Sequence, residues 1–274
     1  MDSKRILNIT SNHYRKLGNH LNKILPGIDS TTIHEFRVEY KKLRALLRLL
    51  SQQPGIGNEI KISRGLKKVY VIAGSLRDLQ LQQQRIIDAT KEAPKKPNAY
   101  LHLLQKEIEK LKPELSELIS EKPIKQSKRK TDAAIPQRIE FSHLSQFVQK
   151  KWASIDTIIM SGNFSDENIH AIRKILKDLY YNDKFMNAVK KEIDTDDKGL
   201  TRRISGLDKL LEELGSFQDK CTSVALLKSY WIIQLNSYNQ NLLSQLKKTW
   251  IREKVNRKQE LIKKIKTALG ESKI

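Results

Sequence analysis

Positively charged side chains recur every three or four residues along one predicted helix near the N-terminus. We call this set the first basic row; its members are His34, Arg37, Lys41, Arg44 and Arg48. At about 100° per residue, an α-helix places all five within an arc of roughly 80°. Like charges three or four residues apart each destabilise an isolated helix by about 0.2–0.5 kcal/mol. The row therefore indicates a surface that an external polyanion neutralises.

The rest of the same segment supports an amphipathic helix. Glu35 and Glu39 project away from the basic row, while Phe36, Tyr40 and Leu43 lie on the opposite side. We therefore expect the helix to bury its apolar side and to present a row that has no counter-charges of its own.

A second, weaker copy of this pattern follows 136 residues later. Ile33-His34-x-x-Arg37-x-x-x-Lys41 recurs as Ile169-His170-x-x-Arg173-x-x-x-Lys177. The second basic row consists of His170, Arg173, Lys177 and Lys184. Asp178 and Tyr180 stand where the first copy has Lys42 and Arg44, so we expect the N-terminal half to dominate binding.

Another pair of blocks recurs in the same order. Gly65-Leu66-x-Lys68 and Gly74-Ser75-x-x-Asp78 return as Gly206-Leu207-x-Lys209 and Gly215-Ser216-x-x-Asp219. Two blocks repeated in order predict two related helical bundles, whose basic rows could face a shared groove or pore.

The overall charge fits a protein that binds anions. The chain has 52 Lys and Arg against 31 Asp and Glu, a net charge of +21. Nucleic acid, an acidic membrane surface and inorganic polyanions are the candidate partners. A single cysteine, Cys221, allows no intramolecular disulfide, and we find neither a signal-peptide pattern nor an apolar run long enough to cross a membrane. We expect a cytoplasmic protein that does not enter a membrane.

Helical periodicity dominates the chain, and glycine and proline are scarce, which predicts an all-α fold. We expect an N-terminal bundle over 1–121, a mobile basic linker over 122–137 and a C-terminal bundle over 138–274. The predicted helices cover 3–24, 31–51, 58–75, 78–92, 98–121, 138–161, 166–184, 199–214, 218–235 and 237–270. Asp78 and Asp219 are expected to cap helix starts.

These motifs together resemble the CHAD domain, the conserved histidine α-helical domain. The resemblance rests on His34-x-x-Arg37-Val-x-x-Lys41-Lys42-Leu-Arg44, on Ala73-Gly74-Ser75-Leu76-Arg77-Asp78, and on their degenerate second copies. It covers nearly the whole chain, from about residue 3 to 270. It implies two pseudo-symmetric four-helix-type bundles around a central basic channel that binds inorganic polyphosphate, including that of polyphosphate granules.

The resemblance also implies which residues face the ligand. They are His34, Arg37, Lys41, Arg44, Arg48 and Arg77 in the first half and His170, Arg173 and Lys177 in the second. The repeated blocks and basic rows add Lys42, Lys68, Lys184 and Lys209 as candidates. Gln218 replaces the arginine that Arg77 represents in the first half, which again predicts unequal halves.

A chain of phosphates without bases calls for many charge-assisted hydrogen bonds and no base-reading groups. Arginine supplies a planar fork of donors, and lysine a mobile point charge. We expect bound phosphates to raise the pKa of His34 and His170.

Two alternatives stay open. One is a protein that binds DNA or RNA, although we find no helix-turn-helix or RNA-binding motif and no aromatic residues interleaved along the basic row. The other is an enzyme that releases phosphate from polyphosphate or a triphosphate. The sequence lacks a phosphate-binding loop, a nucleophile elbow and a His-Glu-x-x-His motif, so we predict no catalytic residue, no metal site and no cofactor.

Overall fold

The computed structural model describes residues 3–57, 59–193 and 206–270. Within these ranges the chain forms ten helices and no strand, which confirms the all-α prediction. The helices are α1 Ser3–Ile24, α2 Ser30–Leu50, α3 Arg64–Ala89, α4 Asn98–Leu118, α5 Glu121–Asp132, α6 Phe141–Ser161, α7 Asp166–Ile193, α8 Asp208–Leu226, α9 Ser229–Ile232 and α10 Ser237–Gly270.

Helix α2 carries the first basic row, and its start is fixed by local chemistry. Asp29 is the N-cap, and its carboxylate accepts hydrogen bonds from the backbone N–H groups of Thr31 (2.8 Å) and Thr32 (3.0 Å). This satisfies two of the donors that every helix start leaves free. The predicted apolar side is buried, with Phe36 and Leu43 both 0% exposed.

The helices that carry the two basic rows, α2 and α7, pack directly against each other. The Asn182 side chain of α7 donates a hydrogen bond to the Ala45 carbonyl of α2 at 3.0 Å. One continuous hydrophobic core runs from Ile6 to Leu269 and draws on both halves of the chain. A smaller core joins α3 and α4 to the segment from Leu227 to Trp250.

Helix α5, Glu121–Asp132, covers residues 122–132 of the segment 122–137 that we predicted to be a mobile basic linker. Helix α5 packs against α1 and α3. Ser127 and Thr131 are fully buried, and their hydroxyls hydrogen-bond to the Tyr14 hydroxyl at 3.0 and 2.7 Å. Pro123 is tolerated because it lies in the first turn, where a helix has spare N–H groups.

Two predicted helix breaks are wrong. Helix α3 runs unbroken through Gly74 and Asp78, so Asp78 does not cap a helix start. In the second half, α8 runs through Gly215 and Asp219 and ends at Leu226, where a short α9 follows. Residues 199–205, the first part of the predicted helix 199–214, lie outside the described residues.

Candidate functional site

Arg37 is held in place by contacts with α3. Its Nη1 donates a hydrogen bond to the Tyr70 carbonyl at 2.8 Å, and its guanidinium carbon lies 4.4 Å from the centre of the Tyr70 ring. Gly74 makes this position possible, because a Cβ atom built there would lie only 2.6 Å from the Arg37 Cζ. The glycine inside α3 therefore allows close packing and does not interrupt the helix.

The second half contains a looser version of the same contact. Arg173 lies beside Gly215, and a Cβ built on that glycine would be 3.7 Å from the nearest guanidinium nitrogen. Arg37 and Arg173 hold equivalent places in the repeated motif, as do Gly74 and Gly215.

Lys41 is influenced by the charges of arginines from three helices. Burial lowers its pKa most, and four arginine charges lower it further, to about 8. In order of effect these arginines are Arg37, Arg173, Arg77 and Arg44. Since Arg173 belongs to α7 and the others to α2 and α3, cations from both halves act on one amine.

The two histidines of the repeated motif border the same cluster. Partial desolvation lowers the pKa of His34, and the charges of Arg77 and Lys41 lower it further. Desolvation likewise lowers the pKa of His170, with smaller contributions from Lys174, Arg173 and Lys41. Both rings therefore favour their neutral form, and both sense the charge of Lys41.

We define the central basic cluster as the cations that meet around Lys41 and the two histidines beside them. Its members are His34, Arg37, Lys41, Arg44, Arg77, His170 and Arg173. Arg77 is anchored by a 3.2 Å hydrogen bond from its Nε to the Ser30 carbonyl at the start of α2.

Lys177 continues the second row one turn beyond Arg173. Its ammonium lies 5.3 Å from the centre of the Tyr180 ring and 5.5 Å from that of Tyr181. Burial lowers its pKa and Arg173 adds to this effect, whereas Asp208 opposes it. Lys177 therefore lies near the cluster, with acidic neighbours on α8.

Arg48 is the exception to the prediction that the first row lacks counter-charges. Its Nη1 lies 2.9 Å from a carboxylate oxygen of Asp178, and its Nε lies 3.9 Å from Glu59. Asp178 is buried and also binds Lys151 at 3.1 Å. Asp178, which stands in the second copy where the first copy has Lys42, thus neutralises Arg48 at one end of the first basic row.

The remaining sequence candidates have acidic neighbours or are exposed. Lys42 is close enough to Glu39 to help lower the pKa of that carboxyl, and Glu39 itself pairs with His13 of α1 at 2.6 Å. Lys68 pairs with Glu114 of α4 at 3.3 Å. Two further candidates are exposed, Lys184 on α7 and Lys209 on α8.

Sequence reasoning missed two groups that border the cluster. Arg85 of α3 lies 3.7 Å from Asp219 of α8 and donates a 2.9 Å hydrogen bond to the Ser223 hydroxyl. Asp78 is partly buried, and burial raises its pKa although Arg37 and Arg77 lower it. Neither role has a signal in a single sequence, because both depend on how α3 packs.

Comparison with known proteins identifies the family. The family model of the CHAD domain matches residues 8–228, so the chain belongs to the CHAD domain family and the predicted resemblance is confirmed. The crystal structure of the CHAD domain from the plant Ricinus communis has the same fold, with a TM-score of 0.70 and 15% sequence identity. That match covers 99% of this chain and 92% of the plant chain. A search of curated proteins gave no match.

Within residues 3–57, 59–193 and 206–270, none of the helices combines the length and the apolar character that a membrane span requires. No group of three or more His, Cys, Asp or Glu side chains there is arranged to hold a metal ion.

Proposed function

We propose that this protein binds inorganic polyphosphate, without catalysis, through the central basic cluster. The observation that carries the proposal is Lys41, whose pKa is lowered to about 8 by burial and by arginines of α2, α3 and α7. So many like charges around one amine oppose folding, and a bound polyanion would relieve that repulsion. Membership of the CHAD family supports the same ligand class, as do the arginine–glycine contacts in both halves.

The chemistry of the cluster suits a chain of phosphates. Arg37, Arg77 and Arg173 offer planar forks of N–H donors, and Lys41 adds a mobile cation. The lowered pKa values of His34 and His170 favour neutral rings in the free protein, and bound phosphates would raise these pKa values and favour protonation. Such binding would associate the protein with polyphosphate, including granules of it in the cytoplasm.

Nucleic acid is the second candidate, favoured by the net charge of +21. The aromatic ring within the cluster does not suit base stacking, because Tyr70 is stacked on Tyr40 at 4.1 Å between ring centres and covered by Arg37. We therefore expect recognition of a phosphate chain and not of bases.

A competition experiment separates these candidates. Long-chain polyphosphate should displace labelled duplex DNA from the protein at a far lower phosphate concentration than DNA displaces polyphosphate. Equal competition per charge would contradict specificity for polyphosphate. The same samples, incubated with Mg²⁺ or Mn²⁺, test the proposed lack of catalysis, since release of orthophosphate that disappears in Lys41→Met would contradict it.

A further inference from the structure

A second basic surface opens where α2 leaves the central basic cluster. It is a groove of about 600 Å³ between α2, residues 59–63, the first turns of α3 and the end of α5. We call it the α5 groove. Its lining includes Arg44, Arg48, Lys61, Arg64, Lys67 and Lys130, with Glu59 as the acidic residue.

Most of this positive charge has no acidic partner in the part of the chain that the structure describes. Lys61 lies 3.7 Å from Glu59, and Arg48 is held by Asp178. Among the described residues, Arg64, Lys67 and Lys130 have no acidic oxygen within 4.0 Å. Lys61, Lys67 and Lys130 are exposed, so their ammonium groups are open to a ligand.

The groove and the central basic cluster share Arg44. This residue lines the groove and also lowers the pKa of Lys41. The Tyr70 ring lies between the two sites, with the Arg37 guanidinium carbon at 4.4 Å from its centre and that of Arg44 at 5.9 Å. Along α2, Arg37 and Arg44 are separated by about 10 Å, at 1.5 Å per residue.

The walls of the groove are firmly connected. Tyr14 binds Ser127 and Thr131, and the Ser127 hydroxyl accepts a 3.0 Å hydrogen bond from the backbone N–H of Ser63. Ser63 in turn caps α3 by accepting a 3.3 Å hydrogen bond from the N–H of Leu66. The end of α5 and the start of α3 are thus fixed relative to each other, and so are the backbones that carry Lys130 and Lys67.

We propose that the α5 groove takes the continuing phosphates of a polyphosphate chain whose other phosphates lie in the central basic cluster. This inference rests on the proposed function and extends it. The consequence is selection by length, because a short chain fills the cluster alone while a long chain reaches both sites. None of Lys61, Arg64, Lys67 and Lys130 belongs to the repeated motifs.

A charge-matched pair of variants tests the groove. The groove variant carries Lys61→Ala, Lys67→Ala and Lys130→Ala, and the control carries Lys106→Ala, Lys248→Ala and Lys263→Ala. All six lysines are exposed, and the control residues lie on α4 and α10, which do not line the groove. Calorimetric titrations with tripolyphosphate and with long-chain polyphosphate, repeated over a range of salt concentrations, give the affinities.

The groove variant should bind long-chain polyphosphate about ten-fold or more weakly than the control. By analogy with nucleic acid, the slope of its log affinity against log salt concentration should also be shallower, by an amount that corresponds to up to about three ion contacts. Both variants should bind tripolyphosphate as the wild type does. Equal affinity of both variants for the long chain would overturn the proposed role of the α5 groove and leave the proposed function standing. Loss of tripolyphosphate binding in the groove variant alone would also overturn it, since the groove would then be the primary site. A wild type that binds neither ligand would overturn both proposals.

Discussion

At the scale of single residues, the glycine of the second motif acts through the arginine of the first. Gly74 leaves room for the Arg37 guanidinium, which donates to the Tyr70 carbonyl and lies over the Tyr70 ring. The sequence could show that Gly74 recurs as Gly215, but not what either glycine contacts. From the sequence alone, we predicted a helix break close to Gly74. The packing shows instead that the missing side chain of Gly74 makes room for the Arg37 guanidinium.

We expect Gly74→Ala to destabilise the protein by about 1–3 kcal/mol, because the new methyl group must displace Arg37 from its hydrogen bond and its ring contact. Gly215→Ala is the matched control, since its Cβ meets Arg173 at an ordinary distance of 3.7 Å. The control should be neutral or slightly stabilising, because alanine is favoured over glycine inside a helix by about 1 kcal/mol. Urea unfolding of both variants gives the comparison, and an equal effect at the two glycines would show that Arg37 does not depend on Gly74.

Lys41 gives a prediction with a defined pH range. Its pKa is about 8 in the folded protein and returns to its ordinary value of 10.5 on unfolding, so the unfolded chain binds more protons between these values. The contribution of Lys41 to the free energy of unfolding therefore rises with pH from about 8 to 10.5. Below pH 8, the charged amine opposes folding by an amount on the order of 3 kcal/mol or less.

Replacing Lys41 with Met keeps most of the side chain's volume and removes its charge. At pH 7 the variant should be more stable than the wild type, and the difference should shrink as the pH approaches 10. Denaturant unfolding of the two proteins at a series of pH values isolates Lys41, because all other titrating groups are common to both. A variant less stable than the wild type at pH 7 would mean that Lys41 contributes favourable contacts and is not under repulsion.

At the scale of helices, periodicity predicted the bounds of α2 but did not predict α5 as a helix. The predicted range 31–51 agrees closely with the observed Ser30–Leu50, because α2 has a wide apolar side and a clear N-cap at Asp29. The lysines and Pro123 of α5 resemble those of a linker. Its fully buried side chains, Ser127 and Thr131, depend on a hydroxyl of α1 that lies more than 110 residues away.

Tyr14→Phe should therefore loosen α5. The change removes the hydrogen bonds of the Tyr14 hydroxyl to Ser127 and Thr131, although Ser127 keeps the bond from the Ser63 N–H. We expect a loss of about 1–3 kcal/mol in the free energy of unfolding. It should also raise amide hydrogen exchange in residues 121–132 and weaken binding in the α5 groove. Tyr230→Phe is the control, since Tyr230 is exposed and should change stability by less than about 0.5 kcal/mol. Unchanged exchange in α5 would show that the hydroxyl cluster does not hold this helix.

At the scale of the whole molecule, the family and the all-α class could be predicted from the repeated motifs, and the division into two bundles joined by a linker stays a prediction. The larger of the two cores draws on both halves, from Ile6 to Leu269, and α2 packs against α7. The pairing of Arg48 with Asp178 spans 130 residues, so no local pattern could reveal it. A basic channel between the halves remains a prediction.

The long basic helix α10 contributes less free charge than its sequence suggests. Lys254 and Lys258 both pair with Asp166 of α7, at 2.9 and 2.7 Å, and Lys264 pairs with Glu213 of α8 at 2.7 Å. These ion pairs bind α10 to the second half of the chain. These pairs support the proposal that the ligand binds at the central basic cluster and not along α10.

The most direct test of this account is a crystal structure of the protein with bound polyphosphate. We predict phosphate oxygens at about 2.7–2.9 Å from both the Lys41 ammonium and the Arg173 guanidinium, so that one chain bridges the two halves. Phosphates bound along the outer face of α10, with Lys41 and Arg173 both free of ligand, would contradict the central claim.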